Sequence, residues 1–350
     1  MGLTKTQQVI WEKSRAAGSG DQAVGLSDGM SSYLLATIVR DLSLENEFPN
    51  LCDNLSGFFP STSLWNIVLP ETSPLPIYEK LLSLRADADM YFACLAALYK
   101  ARLKYELILQ TQPIPTLEQI GPRSLLQYGK LSPRALAGLL FWRKWLFDID
   151  NRAAQETGYL FEPVIASAIG GTPVPARKSP IKRSRDPRKG RQVDCLLGKK
   201  AYEFKIRVTI AASGQGRWRE ELEFPVDCRA SGYKPVLVVL DATPNPKLEE
   251  LSAAFERQKG DVFAGDSAWR HLESKAGATM GRFLEKYVHQ PIEHVIAEAS
   301  DALPEFTARM ESGGISLVVG GEALSIDRSA PSEPVEEAPP LPDDVADETP

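Results

Sequence analysis

The chain has 350 residues, 43% of them apolar and 25% charged, the make-up of a globular protein with room for one large or two ordinary domains. No apolar run approaches the roughly 18 residues of a membrane span, and the N-terminus lacks the apolar stretch of a signal peptide, so no membrane association and a cytoplasmic location are expected. The net charge of -6 hides a basic block: Arg177–Arg219 holds 14 lysines and arginines against three acids, a local +11 that leaves -17 on the rest and suggests a polyanionic partner.

Residues 1–150 read as a mainly helical region. "MSSYLLATIVRDL", "PIYEKLLSL" and "MYFACLAALYKARLKYELILQ" have helix-period apolar spacing. A further helix starts with Ser132 as N-cap and Pro133 at its first position. Nothing in this half carries chemistry by itself. Four scattered cysteines (Cys52, Cys94, Cys195, Cys228) and three histidines match no zinc spacing, so buried, reduced thiols are expected.

The segment 176–192, "ARKSPIKRSRDPRKGRQ", is too polar and proline-rich for a core element and reads as a flexible basic loop. Beyond it the apolar period changes to two. "QVDCLL" and "AYEFKIRVTI" read as strands, and "KPVLVVLD" (234–241) as a fully buried one. "PKLEELSAAFERQ", "SAWRHLES" and "GRFLEKYVHQPIEHVIAEA" look helical, and "SLVVGGEALSI" (316–326) suggests a late hairpin around Gly320-Gly321. The expected class is α/β, with a mixed central β-sheet flanked by helices behind the helical N-terminal region. Residues 151–327 form the expected α/β core. Residues 328–350, rich in proline and acid, are expected to be a disordered tail.

The two strands around "GKK" define a hairpin. A two-residue turn at Gly198-Lys199 pairs Leu197 with Lys200, Cys195 with Tyr202, and Asp194 with Glu203. Val193, Cys195, Tyr202, Phe204 and Ile206 then share the core face, and Asp194, Glu203 and Lys205 line the other. Two opposed carboxylates destabilise a strand pair unless a cation sits between them. Lys205 is one candidate; Mg²⁺, which prefers carboxylate oxygens, is the other. A half-exposed strand with a polar outer face remains the plainer alternative.

Asp194, eight intervening residues, then Glu203-Phe204-Lys205 resembles the PD-(D/E)XK nuclease signature, with Val193 in the place of its proline. Within that superfamily the chain is most similar to type II restriction endonucleases, by its length, its helical N-terminal region and the lack of a P-loop motif. The resemblance implies Mg²⁺-dependent cleavage of double-stranded DNA. Asp194 and Glu203 would hold metal and Lys205 would assist the attacking water. An acid from an upstream helix would join them, Glu162 first and Glu156 as runner-up. It also implies a homodimer on a palindromic site, and a cognate DNA methyltransferase acting on the same site. Lys182, Arg183, Arg185, Arg188, Lys189 and Arg191 of the basic segment would neutralise phosphates. Gln215, Arg217 and Arg219 carry groups suited to bases or phosphate, and Arg207 and Thr209 extend the polar file toward the scissile phosphate. A repair or recombination nuclease of the same fold, and a non-catalytic DNA-binding protein, are the alternatives.

Overall fold

Residues 2–18, 22–60, 63–69, 73–206, 215–298 and 304–328 are described by the computed structural model. The helical periodicity of the first half becomes α1 (Lys5–Arg15), α2 (Asp28–Asp41), α3 (Pro74–Leu84), α4 (Ala88–Thr111), the short α5 (Leu117–Ile120) and α6 (Pro133–Ala168). Ser132 caps α6, its side chain accepting the Ala135 N–H at 3.3 Å, and Pro133 occupies the first turn, where its missing N–H costs nothing. The helix continues past Pro163 and runs through residue 150, so no boundary falls there. One core cluster joins Trp11, Tyr33 and Tyr91 of the N-terminal helices to Cys195, Tyr202, Phe204 and Val236 of the sheet. Buried Asp41 at the end of α2 ties the halves further, accepting from Tyr91 Oη at 2.9 Å and from Tyr287. The helical region and the α/β region therefore share one core.

After α6 come β1 (Thr172–Val174), β2 (Lys182–Arg183), β3 (Asp186–Gly190), β4 (Val193–Leu197), β5 (Lys200–Lys205), α7 (Gln215–Ala230), β6 (Lys234–Val239), α8 (Pro246–Arg257) and β7 (Asp261–Ala264). The main sheet has the order β1-β4-β5-β6-β7. β1, β4 and β5 are antiparallel, whereas β5, β6 and β7 are parallel, with α7 and α8 as the crossover helices that parallel pairing requires. The sheet is thus mixed. β6 alternates between two cores: Val236 and Val238 pack toward the N-terminal helices, and Leu237 and Val239 toward α7 and α8. That explains the unbroken apolar run of its sequence.

The chain ends in α9 (Asp266–Leu284), a π-helical turn at Glu285–His289, α10 (Gln290–Ala297), and a three-stranded meander of β8 (Phe306–Glu311), β9 (Gly314–Val319) and β10 (Glu322–Asp327). The expected late hairpin is present, with Gly320 and Gly321 both at positive φ in its turn. β8, which the sequence reading did not anticipate, pairs on the other edge of β9. Ile315 and Ile326 bury this meander against Trp145 and Ile149 of α6. No described helix is long and apolar enough to cross a membrane. The expected tail lies outside the described residues from 329 onward.

Candidate active site

The β4–β5 hairpin turns at Gly198-Lys199, with positive φ at Gly198 and not at Lys199, the signature of a type II′ turn. The ladder pairs Leu197 with Lys200, Leu196 with Ala201, and Cys195 with Tyr202, and no farther. The expected Asp194–Glu203 pair does not continue it. β4 also pairs with β1, and there the register slips: Thr172 faces Leu196 but Val174 faces Val193, so β4 carries one extra residue, a bulge at Asp194–Cys195. A bulge re-aims the side chains around it. Here the Asp194 carboxylate accepts the Phe204 N–H at 2.8 Å, standing in for a ladder carbonyl. The same slip corrects the expected facing. Val193 does not share a core with Cys195; it packs with Ile181, Ala201 and Leu237 on the opposite side of the sheet.

On β5, Glu203 and Lys205 share a face, as their spacing requires. Glu203 Oε1 lies 2.8 Å from Lys205 Nζ. A second carboxylate, Glu221 of α7, approaches the same ammonium at 3.4 Å. Burial draws the Lys205 ammonium down, but Glu203, and after it Glu221 and Asp194, hold it above its ordinary value. Asp194 is raised as well, and here that disfavours its charge: burial, then the charges of Glu203 and Glu162, push its carboxyl well above the usual carboxylate range. Glu162 therefore reaches this group from α6. It lines a small cleft between that helix and the ends of β5 and β6, together with Gly158, Lys205, Ile206 and Leu240. Glu156 does not join; it pairs with Lys104 of α4 at 2.7 Å.

Four carboxylates from four elements thus gather at one lysine, Glu203 and Glu221 in contact with its ammonium and Asp194 and Glu162 nearby. All the donors are oxygens, the chemistry a hard divalent cation takes, although no three of these carboxylates bring their oxygens within 4.8 Å of one another. A different group, Glu273, Glu285 and His289 on α9 and the π turn, brings carboxylate oxygens and an imidazole within 4.8 Å of one another, with His289 Nδ1 3.1 Å from Glu285 and 3.4 Å from Glu273.

The basic segment is not the flexible loop its composition suggested. β2 and β3 form a small sheet anchored by fully buried Ile181. At its end only glycine fits: a Cβ on Gly190 would sit 1.9 Å from the Ala176 carbonyl oxygen. Acids on α7 hold the sheet's cations. Glu220, Glu223 and Asp227 recur at helical spacing, on one face. Arg183 pairs with Glu220 at 2.6 Å, and Arg185 pairs with Glu223. Arg191 is 6% exposed, with its guanidinium bound to Asp227 at 2.8 Å and to the Glu220 carbonyl at 2.9 Å. Its role is internal: it fastens the basic sheet to α7 and is unavailable to phosphate. Arg219 is exposed and pairs with Glu223 at 3.2 Å. Lys182, Arg188 and Lys189 are exposed on the basic sheet, Arg188 reaching Asp186 at 3.1 Å. Arg207 and Thr209, and the side chains of Gln215 and Arg217, lie outside the described residues.

Sequence reasoning missed Glu221. Its signal was faint: in a helix with an acidic stripe at 220, 223 and 227, it is the one acid of the cluster that steps off the stripe, and that step turns it from the basic sheet toward Lys205.

A model of the ApaLI-like restriction endonuclease family matches residues 75–289. A curated relative, the type II restriction enzyme ApaLI of Acetobacter pasteurianus, is 49% identical over 262 residues, covering 70% of each chain. No solved structure matches. The matched segment runs from α3 to the π turn and includes the whole main sheet with its hairpin, the helix carrying Glu162 and the helix carrying Glu221. On the strength of that coverage and identity, the chain belongs to the ApaLI-like restriction endonucleases.

Proposed function

We propose that Asp194, Glu203 and Lys205, joined by Glu162 and backed by Glu221, form the catalytic centre of this site-specific endodeoxyribonuclease. The observation that carries the assignment is the broken ladder. Where the β4–β5 ladder stops, beside the irregular β1–β4 register, the Asp194 carboxylate accepts the Phe204 N–H and feels the charges of Glu203 and Glu162 at once. A carboxylate kept in that repulsive setting weakens the fold unless it has a partner to bind.

Family membership implies a divalent metal ion. Mg²⁺ is the ion we assign, with Asp194 and Glu203 as its holders and Glu162 as the third acid. Bound there, it would supply positive charge to the scissile phosphate and to the water beside it. The protein's own contribution is positioning. The Lys205 ammonium, fixed between Glu203 and Glu221, hydrogen-bonds the attacking water or a phosphate oxygen as negative charge develops. The attacking water gives up a proton as its oxygen bonds to phosphorus, the bond to the leaving sugar oxygen breaks, and that oxygen takes up a proton, so that one water is consumed per cut. Glu221 touches no reacting atom; its contact with Lys205 would keep the ammonium in place and charged with Glu203 engaged as a metal holder.

Lys182, Arg188 and Lys189 are the cations of the basic sheet best placed to meet phosphates. Arg183, Arg185 and Arg219 meet them by exchanging α7 carboxylates for phosphate. A homodimer would bring one such centre to each strand of a palindromic site. A cognate methyltransferase would protect that site, and both would act in the cytoplasm.

Incubation with Mg²⁺ and a DNA of known sequence tests the assignment. Wild type is expected to give discrete fragments with one sequence at their ends, and folded D194N and E203Q none. Cleavage by either variant at the wild-type rate would remove that residue from the centre.

A further inference from the structure

Between Glu118 and Asp148 the sequence contains no acid, yet it holds Arg123, Lys130, Arg134, Arg143 and Lys144. Within this stretch the segment from Gly121 to Ala135, the loop from α5 into α6, is almost entirely exposed. Its apolar side chains are exposed too: Leu125 at 83%, Leu126 at 90% and Tyr128 at 74%. Water-facing leucines in adjacent positions are a liability on a free surface.

The loop is nevertheless built. Gln127 N–H donates to the Ser124 carbonyl at 2.8 Å, and Lys130 N–H to the Gln127 carbonyl at 3.1 Å. Tyr128 and Leu131 form a β-bridge around Gly129, whose φ is +84°. Arg143 of α6 donates to the Gln127 side chain at 3.2 Å, pinning the loop to the helix. It is a shaped projection with an apolar tip and cationic flanks.

The charge decides among occupants. A two-fold interface with a second copy would set the cations of this loop against one another. A polyanion with apolar surface in its grooves matches both features. We infer that the Gly121–Arg134 loop is a second DNA-binding element. Arg123, Lys130 and Arg134 contact phosphates, while Leu125, Leu126 and Tyr128 press into a groove against sugars and base edges, as apolar wedges do. Arg143 and Glu162 lie 19 residues apart on α6. At 1.5 Å per residue that is about 28 Å, or roughly eight base pairs of B-form duplex. The loop would thus contact duplex flanking the cut.

The test is equilibrium binding by the full-length protein, without divalent metal, to a duplex several helical turns long and to one of a single turn, across a range of salt. Because no cleavage is read, the result is independent of the catalytic assignment. On the long duplex, R123Q/K130Q/R134Q is expected to flatten the salt dependence by about 0.9 per lost phosphate contact, close to three units in all. L125A/L126A/Y128A is expected to weaken binding about tenfold with an unchanged salt slope, since it removes only apolar contact. Neither variant should differ from wild type on the short duplex, and thermal unfolding should show both folded, because every altered side chain is exposed. A wild-type salt slope for the charge variant overturns the assignment. So does a smaller sedimenting species for the apolar variant, which would make the loop a contact between copies of the chain.

Discussion

The β4–β5 and β9–β10 hairpins both turn on two residues led by glycine, and they end differently. In β9–β10 the register runs through six unbroken pairs, from Val319–Glu322 to Gly314–Asp327, and Ile315 and Ile326 face each other over Trp145. In β4–β5 it stops after three pairs. The ladder ends where β4 slips in register against β1, and a side-chain carboxylate takes the next amide of β5. The first hairpin uses its whole ladder for stability. The second gives up ladder bonds at the point where its carboxylates gather. A strand that abandons its own pairing to aim an acid is a better marker of a site than a polar file alone, because solvent-facing strands carry polar files with no cost.

Substitution can break this contrast. D194N and E203Q should each lower cleavage on the order of a thousandfold or more, since they remove charge where the phosphate and its ion must sit. The thermal midpoint of D194N should stay at or above wild type, because a neutral amide relieves its repulsion with Glu203 and Glu162, whereas E203Q, which also gives up the 2.8 Å pair with Lys205, should lose stability. A fall in stability with intact cleavage would mean that the hairpin is structural.

The terminal hairpin should behave in the opposite sense. I315A removes a side chain that is 1% exposed, and is expected to cost about 2–5 kcal/mol in denaturant unfolding while cleavage by the folded fraction is unchanged. Lost activity per folded molecule would couple the meander to catalysis.

E221Q sharpens the comparison further. It keeps the shape of the Lys205 contact and removes its charge, so a decrease in cleavage on the order of tenfold is expected, with E221D recovering part of it. An unchanged rate would leave Glu203 as sufficient support for Lys205.

The smallest effect concerns pH. His271 lies behind the β4–β5 hairpin, 3.2 Å from Tyr202 Oη and stacked on Phe263 at 3.9 Å between centroids. Burial, then Lys200 and Lys275, hold its pKa below the ordinary 6.5. The unfolded chain therefore binds the proton more readily than the folded one. The stability from neutral His271 is fully present above about pH 6.5 and is lost as pH falls toward the lower, folded value. Unfolding midpoints followed from neutral to mildly acidic pH should decline less in H271Q than in wild type. Parallel curves would show that another group sets the acid limit.

Much of this molecule was legible because short-range rules govern it. Turn chemistry at Gly198-Lys199 and Gly320-Gly321 set both hairpin registers, and a period of two put Glu203 beside Lys205. Ser132 and Pro133 marked the start of α6. Such signals act within a few residues, so they survive in a one-dimensional reading. The rest depended on partners far apart in the chain. Composition made 176–192 a loop, but pairing with α7, such as Arg191 with Asp227 across 36 positions, made it a sheet and withdrew an arginine from DNA. Two helix acids six residues apart looked alike until packing gave Glu156 to Lys104 and Glu162 to the hairpin. Glu221 became part of the site only when the β5–β6 crossover brought α7 over Lys205. Local propensity fixes which residues share a face. Which faces meet is decided by burying apolar surface across the whole chain, and that sum is made only in three dimensions.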